Sequence, residues 1–364
     1  MNYKASAADQ DIEIINLSLL EEQAAKIIPK GAFDYIRSGA GEEWTLRRNQ
    51  EAFNSRNIVP RVLADLENPD MSTSLFGMTL PSPVIMSPSA AHGLCHVDGE
   101  KATARGVADA GSIMCLSTYA NNTIEDVAKA GGGAPWMFQL YMSKDDGLNN
   151  YLLDTAKEHG AKAIIITADA TVSGNREADA INHFRFPLTM ANLARFGENS
   201  SISIDDLYAR GLQKMSPKDV EKVAAHSKLP VIVKGIQTPE DALLSIGAGA
   251  SAVWVSNHGG RQLDGAPGSF DVLGSIADAV AGRVPVIFDS GVRRAQHVFK
   301  ALASGADIVG ICRPVMYALS LGGRKAVTAV FRYMNHELSM TMQLAGTKNI
   351  AEIRLAKVEN MRTF

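Results

Sequence analysis

Short apolar runs recur along the chain and alternate with longer segments in which apolar residues have helical spacing. The runs are rich in β-branched residues, and turn residues such as glycine and proline bound them, as expected of strands. They begin at Pro83, Gly111, Trp136, Ala163, Pro230, Ala252, Pro285 and Ile308. Because the runs are almost wholly apolar, they are typical of strands buried on both faces in a parallel sheet covered by helices.

Eight such strands alternating with helices predict an α/β fold, a closed (β/α)8 TIM barrel at about residues 83–345 of a single domain over residues 1–364. The alternative is an open, doubly wound sheet, which would carry a glycine-rich dinucleotide turn after its first strand. The segment PSAAHGLCH from Pro88 lacks that glycine spacing. The pattern therefore favours the barrel.

Two segments lie outside the regular alternation. An N-terminal helical extension is expected at about residues 18–60, where Ser18 and Glu21 have the spacing of a capping box. The connection after the fourth strand is long, and its part at about residues 170–215 includes HFRFPLTMANLARF from His183. Long loops at this end of a barrel commonly cover the active site, so this segment is predicted to be a lid.

Composition narrows the choice of partners. The 36 basic and 39 acidic residues give a formal charge of -3, so there is no general positive field for nucleic acid or anionic lipid. Cys95, Cys115 and Cys312 are odd in number, far apart and set among apolar residues, which suggests neither disulfides nor a metal site and fits a reducing cytoplasm. Neither an export signal nor a membrane span is expected. A small-molecule substrate is the better expectation.

Polar residues stand where the predicted strands end, which is where barrel enzymes place their catalytic groups. Buried polar side chains are unfavourable without partners, so this set predicts a large polar ligand. Glycine, backbone N–H groups and arginines in DSGVRR from Asp289 and CRP from Cys312 occupy the usual phosphate site of the fold. The ligand is therefore expected to be a phosphorylated cofactor.

Five longer runs make the expectation specific: FQLYM from Phe138, ITADATVSGNREAD from Ile166, VKGIQ from Val233, SNHGGRQLDGAPGSFD from Ser256 and FDSGVRR from Phe288. Over about residues 33–346 the chain resembles the FMN-dependent 2-hydroxy-acid oxidases and dehydrogenases, and most closely the L-lactate oxidases among them. The resemblance implies an FMN cofactor and a homotetramer. It also implies oxidation of a small L-2-hydroxy acid, with O2 reduced to hydrogen peroxide.

The resemblance also assigns roles to residues on the substrate side. His258 would accept the proton of the substrate hydroxyl, and Asp169 would orient its ring. Arg176 and Arg261 would bind the substrate carboxylate through their planar guanidinium groups. The remaining substrate contacts would come from Tyr35, Tyr119, Tyr141 and Tyr208, with Tyr141 also in the catalytic group.

On the cofactor side, Lys234 would stabilise the negative charge of the reduced flavin and so belongs to the catalytic group as well. The flavin ring would contact Ser89, Ala90, Ser117, Gln139 and Thr167. The ribityl chain and phosphate would contact Ser256, Asp289, Gly291, Arg293, Cys312 and Arg313. Cys312 departs from the glycine that family members often carry, and its side chain is expected to crowd the phosphate.

Several alternatives remain open at this point. The substrate is L-lactate or another 2-hydroxy acid such as glycolate or mandelate. A lactate 2-monooxygenase is a further alternative, although such enzymes tend to have glycine at the position of Ala90. The lid segment mixes apolar, polar and basic residues, so it does not indicate a membrane-bound dehydrogenase. In different classes, a non-redox isomerase would have no evident need for the Arg176 and Arg261 pair, and a non-catalytic barrel would turn over no hydroxy acid.

Overall fold

The computed structural model describes residues 3–197 and 202–360. Its centre is a closed barrel of eight parallel strands, in which β8 pairs with β1 through Val309 and Val84. The strands are β1 (Val84–Ser89), β2 (Met114–Ser117), β3 (Trp136–Leu140), β4 (Ile164–Thr167), β5 (Val231–Ile236), β6 (Ala252–Val255), β7 (Val286–Phe288) and β8 (Ile308–Ile311). The predicted (β/α)8 barrel and all eight strands are confirmed, and closure of the sheet excludes the open doubly wound alternative.

Burial on both faces explains why the strands are continuous apolar runs. Successive side chains of a strand point to opposite faces. In β4, Ile165 belongs to the cluster inside the barrel, whereas Ile164 and Ile166 belong to the cluster that packs against the helices. A hairpin formed by Thr73–Leu75 and Met78–Leu80 adds its apolar side chains to the inner cluster. The catalytic end of the barrel is left free for polar groups.

Three helices precede the barrel: α1 (Leu19–Ala24), α2 (Lys30–Arg37) and α3 (Trp44–Asn54). The capping box predicted at Ser18 is wrong. Ser18 has a helical backbone and its side chain makes no capping bond, while its N–H donates to Asn16 Oδ1 at 2.9 Å. The chain therefore turns before Ser18, and Asn16 rather than Ser18 provides the side-chain acceptor at the start of α1.

The remaining helices surround the barrel or belong to the lid. They are α4 (Glu100–Asp109), α5 (Ile124–Ala130), α6 (Asp146–Glu158), α7 (Glu177–Ile181), α8 (Ile204–Arg210), α9 (Pro217–Ser227), α10 (Pro239–Gly247), α11 (Ser269–Val280), α12 (Ala295–Ala303), α13 (Arg313–Ala345) and α14 (Ile350–Leu355). Short 3₁₀ helices occur at His92–Leu94 and Ala191–Phe196, and strand Arg56–Ile58 pairs with Val358–Asn360. Within the described ranges, no helix combines the length and apolarity that a membrane span requires.

The long connection between β4 and β5 lies against the loops that follow β2 and β3. Its backbone bonds to both loops, from Ala191 N–H to the Ala120 carbonyl at 2.9 Å and from Leu212 N–H to the Met142 carbonyl at 2.7 Å. Its own Phe186 and Met190 are buried. Its α7 and α8 stand beside the catalytic end of the barrel, as the prediction of a lid requires.

Candidate active site

A cavity of about 1040 Å³ opens at the carboxyl ends of the barrel strands. Strand ends, helix α2 and the lid enclose it. Of the residues predicted for the site, those that line it are Tyr35, Ser89, Ala90, Tyr119, Tyr141, Arg176, Tyr208, Lys234, His258, Arg261, Asp289, Gly291, Arg293, Cys312 and Arg313. Residues up to 278 positions apart in the chain, counting from Tyr35 to Arg313, therefore meet in one concave site.

Five predicted residues are not among those lining the cavity: Ser117, Gln139, Thr167, Asp169 and Ser256. Four of them, all but Asp169, are buried and bond to one another or to the lining. Gln139 Nε2 donates to Thr167 Oγ1 at 2.5 Å. Ser256 Oγ accepts from Lys234 Nζ at 2.9 Å and from the His258 N–H at 3.1 Å. These residues fix the side chains that face the ligand.

His258 lies between a carboxylate and a phenol. Its Nδ1 is 3.0 Å from Asp169 Oδ1, and its Nε2 is 3.1 Å from the Tyr141 hydroxyl. An ionised carboxylate can only accept, so the ring proton of a neutral His258 belongs on Nδ1. Nε2 then carries a lone pair directed into the cavity, where the Tyr141 hydroxyl donates to it. This is the arrangement of a general base held in one tautomer.

The electrostatics of this pair suit a base at neutral pH. Burial lowers the pKa of His258 below its ordinary value, although the Asp169 carboxylate partly opposes that shift. Burial alone would raise the pKa of Asp169, but His258 and Lys234 outweigh it and hold that pKa below its usual range. The imidazole is therefore neutral and the carboxylate ionised at neutral pH.

Arg176 and Arg261 stand close together on the lid side of the cavity. Arg176 Nε donates to the Arg261 carbonyl at 3.4 Å, and both guanidinium groups lie over the Tyr35 ring, at 6.0 Å and 4.9 Å. Burial and the charge of Arg176 lower the pKa of Arg261 to about 10, which still leaves it cationic at neutral pH. These two adjacent cations, of which Arg176 is buried and Arg261 is partly buried, form a site for an anionic group such as a carboxylate.

Tyrosines complete this side of the cavity. Tyr119 and Tyr141 stack with ring centroids 4.5 Å apart, and Arg176 Nη2 donates to the Tyr208 hydroxyl at 3.1 Å. Tyr35 stacks on Phe184 at 5.0 Å. Burial raises the pKa of Tyr119, Tyr141 and Tyr208, so these hydroxyls stay protonated and can donate to an oxyanion.

Lys234 provides a further buried cation in the cavity wall. Its Nζ lies 3.6 Å from Asp289 Oδ2, and Asp289 also accepts from Ser87 Oγ at 3.2 Å. Burial opposes the charge of Lys234, but Asp289 and Asp169 outweigh that effect and raise its pKa. Lys234 is therefore a permanent positive charge in the wall of the cavity.

The loops after β7 and β8 bring the predicted phosphate-binding residues together. Gly291 has φ of 80°, and a Cβ there would collide with the Asn49 carbonyl of α3, so only glycine fits this turn. Arg313 donates to the carbonyls of Ile36, Ser38 and Gly259 at 3.0 to 3.1 Å. Cys312 lines the same wall, and its predicted effect on phosphate binding stays a prediction.

The residues present fit the expected FMN. Gln139 Oε1 is buried and has no hydrogen-bond partner among the described residues, so it suits an N–H donor such as that of the flavin pyrimidine ring. Lys234 supplies a cation for the reduced ring, while Arg293 and Arg313 supply charge for a phosphate.

Two contributors were not predicted from the sequence. Gln262 accepts from Arg176 Nη2 at 3.3 Å and donates to the carbonyls of Asp169 and Val172 at 3.0 and 2.9 Å, joining the lid to the His258 loop. Its position next to Arg261 was the available signal. The Ser38 carbonyl accepts from both Arg261 and Arg313, and no side-chain pattern could have indicated that contact.

Comparisons with known proteins agree with this geometry. The model of the FMN-dependent dehydrogenase family matches residues 24–360. An L-lactate oxidase of Lentilactobacillus hilgardii is 54% identical over 99% of this chain and 98% of its own length. Glycolate oxidase 1 of Oryza sativa subsp. indica is 41% identical over 95% and 96% of the two chains.

Solved structures give the same result. A lactate oxidase structure from Pediococcus acidilactici superposes with a TM-score of 0.95 at 54% identity, covering 99% of this chain and 98% of that one. A mandelate oxidase structure gives a TM-score of 0.90 at 34% identity, with 96% and 99% covered. With the barrel, the flavin-compatible cavity and near full-length matches in agreement, the chain belongs to the FMN-dependent dehydrogenase family, and its cofactor is FMN.

Proposed function

We propose that the protein oxidises L-lactate to pyruvate and passes the electrons to O2, which forms hydrogen peroxide. The observation that carries the proposal is the His258–Asp169 pair, in the same cavity as two guanidinium groups and a buried lysine. The relatives named L-lactate oxidase, at 46% to 54% identity, support lactate as the substrate.

The residues divide the work as follows. Arg176 and Arg261 bind the substrate carboxylate and so fix which face of the hydroxy acid is presented. His258 Nε2 accepts the hydroxyl proton, and Asp169 stabilises the imidazolium that results. The hydroxyl of Tyr141, 3.1 Å from Nε2, donates to the oxygen that loses its proton. FMN, when bound, accepts the two electrons that no side chain can take.

Lys234 acts from the cofactor side. Its charge, held by Asp289 at 3.6 Å, would lie beside the flavin and stabilise the negative charge that develops on reduction. The buried Gln139, Thr167 and Ser117 would hold the flavin edge in place. The arginines after β7 and β8 would hold the phosphate.

Other reactions in this cavity are disfavoured by particular residues. Phe186, Leu207 and the Tyr35 ring line the cavity, and we propose that these bulky side chains favour a small substrate over an aromatic one such as mandelate. Ala90 lines the cavity where monooxygenases of the family tend to have glycine. A non-redox isomerase would give no reason to place two arginines beside a histidine base.

We also propose a homotetramer in the cytoplasm. The family resemblance supports the tetramer. Cys95 and Cys115 are buried and unpaired, and Cys312 is unpaired as well, which is consistent with a reducing compartment. Sedimentation velocity of the purified protein tests the assembly.

A substrate panel with two readouts tests the activity. L-lactate, glycolate and mandelate are each mixed anaerobically with the holoenzyme while flavin absorbance is followed, and peroxide release is then measured in air. We expect L-lactate to bleach the flavin fastest and to yield one peroxide per pyruvate. Faster reduction by glycolate or mandelate would refute lactate as the substrate, and acetate and CO2 without peroxide would identify a monooxygenase instead.

A further inference from the structure

Asp179 carries a buried carboxylate that the proposed reaction does not use. It lies in α7, three residues after Arg176, and is 8% exposed. Both of its carboxylate oxygens are buried and have no hydrogen-bond partner within residues 3–197 and 202–360. Burying a carboxylate in this way is strongly unfavourable unless nearby positive charge offsets it, so the position requires an explanation.

The charges that face Asp179 come from both arginines of the substrate site. Arg261 and Arg176 attract its carboxylate, whereas Asp34 of α2 repels it. Burial raises the pKa of Asp179, and the two guanidinium groups oppose that shift. No ion pair within 4.0 Å joins Asp179 to either arginine among the described residues, so the attraction acts over a longer distance than a salt bridge.

A second cavity adjoins Asp179. It has a volume of about 1220 Å³, lies within the lid segment between residues 173–185 and 203–205, and has Asp179, His183, Arg185 and Asp205 in its wall. Arg176 lines this lid cavity and the active-site cavity alike. Arg176 is therefore shared by the proposed binding place of the substrate carboxylate and by the wall that carries Asp179.

We propose that Asp179 is a positioning residue whose charge offsets Arg176 and Arg261 and so limits how tightly the site holds an anion. The proposal rests on the substrate-binding role of the two arginines. Counted by themselves, the two guanidinium groups and Asp179 leave one net positive charge, which a monocarboxylate neutralises. Substrate and product both carry a single carboxylate, so the offset allows the keto acid to leave and disfavours dianions.

The test compares two anions in three variants of the FMN-loaded enzyme. Pyruvate, a monoanion, and oxalate, a dianion, are titrated while the change in flavin absorbance is followed. In Asp179→Asn we expect pyruvate to bind about fivefold tighter and oxalate about twenty-fivefold tighter, because the electrostatic energy scales with ligand charge. Asp179→Glu keeps the charge, and Asp205→Asn removes an exposed carboxylate from the same lid cavity. Both are expected to bind like the unmodified enzyme.

Turnover gives an independent readout. If Asp179 limits anion affinity, Asp179→Asn lowers both KM for L-lactate and kcat, since the keto acid leaves more slowly. A packing role for Asp179 would instead weaken both anions by the same factor, and that result, or equal tightening of both, would overturn the proposal. If the asparagine variant does not bind FMN, the same two anions are titrated into Asp179→Ser, and the ratio of its oxalate affinity to its pyruvate affinity gives the result. Failure of the unmodified enzyme to bind either anion would refute the arginine site itself.

Discussion

Replacing Asp169 with asparagine tests the assignment of His258 as the base. Asp169 Oδ1 lies 3.0 Å from His258 Nδ1, and both side chains are largely buried. When His258 takes a proton, the imidazolium and the carboxylate attract each other by about 4 kcal/mol, for unit charges about 4 Å apart at an effective dielectric constant near 20. The neutral amide retains a hydrogen bond of about 1 kcal/mol. The difference of about 3 kcal/mol corresponds to a loss of roughly a hundredfold in rate.

The assay is anaerobic rapid mixing of the Asp169→Asn holoenzyme with saturating L-lactate, read as the first-order rate of flavin bleaching. The pH dependence of the bleaching rate gives a second, independent test. Because Asp169 raises the pKa of His258 against the effect of burial, its loss lowers that pKa further, and the acid limb of the rate profile moves to lower pH. The rate thus falls although the neutral base persists further into acid.

A matched control exists on the surface of the barrel. Asp154 forms a similar pair with His226 at 2.8 Å, but its side chain is 66% exposed. Asp154→Asn makes the same chemical change outside the site and is expected to leave flavin reduction unchanged. A loss of less than about threefold in Asp169→Asn, or an acid limb that moves to higher pH, would contradict the assignment.

Three further substitutions address the other parts of the cavity. Arg261→Lys replaces a planar fork by a point charge and is expected to raise KM for L-lactate roughly thirtyfold, or about 2 kcal/mol, in steady-state kinetics. Lys234→Met removes a buried cation and is expected to lower the midpoint potential of bound FMN by about 60 mV, for about 3 kcal/mol over two electrons, in a dye-linked titration. Gly291→Ala places a Cβ against the Asn49 carbonyl and is expected to lower the free energy of unfolding by about 3 kcal/mol and to weaken FMN binding, measured by denaturation and fluorescence titration.

The sequence predicted those parts of the site that follow from strand position. A residue at the end of a buried strand must face the catalytic end of a barrel, so Lys234 and His258 could be placed without coordinates. The glycine at 291 could likewise be expected at the phosphate turn. These predictions work because strand period and barrel closure together fix the direction of each side chain.

Other contacts could not be predicted from any pattern in the sequence. The carbonyls of Ile36 and Ser38 hold Arg313, yet a backbone carbonyl is the same at every residue. The contacts of Asp179 depend on how the lid folds back over the barrel, which no local periodicity encodes. The capping box predicted at Ser18 was wrong because the chain turns earlier, where Asn16 Oδ1 accepts the Ser18 N–H.

Burial connects the chemistry of the site to the fold of the lid. Desolvation is the largest contribution to the lowered pKa of His258 and of Arg261 and to the raised pKa of Tyr141. At neutral pH the result is a neutral base, a cation that still binds carboxylates and a phenol that still donates. The lid provides part of that desolvation, because Arg176 and Phe186 come from it and line the cavity. Because desolvation lowers the pKa of His258, we expect substitutions in this segment that rehydrate the cavity to return that pKa toward its ordinary value.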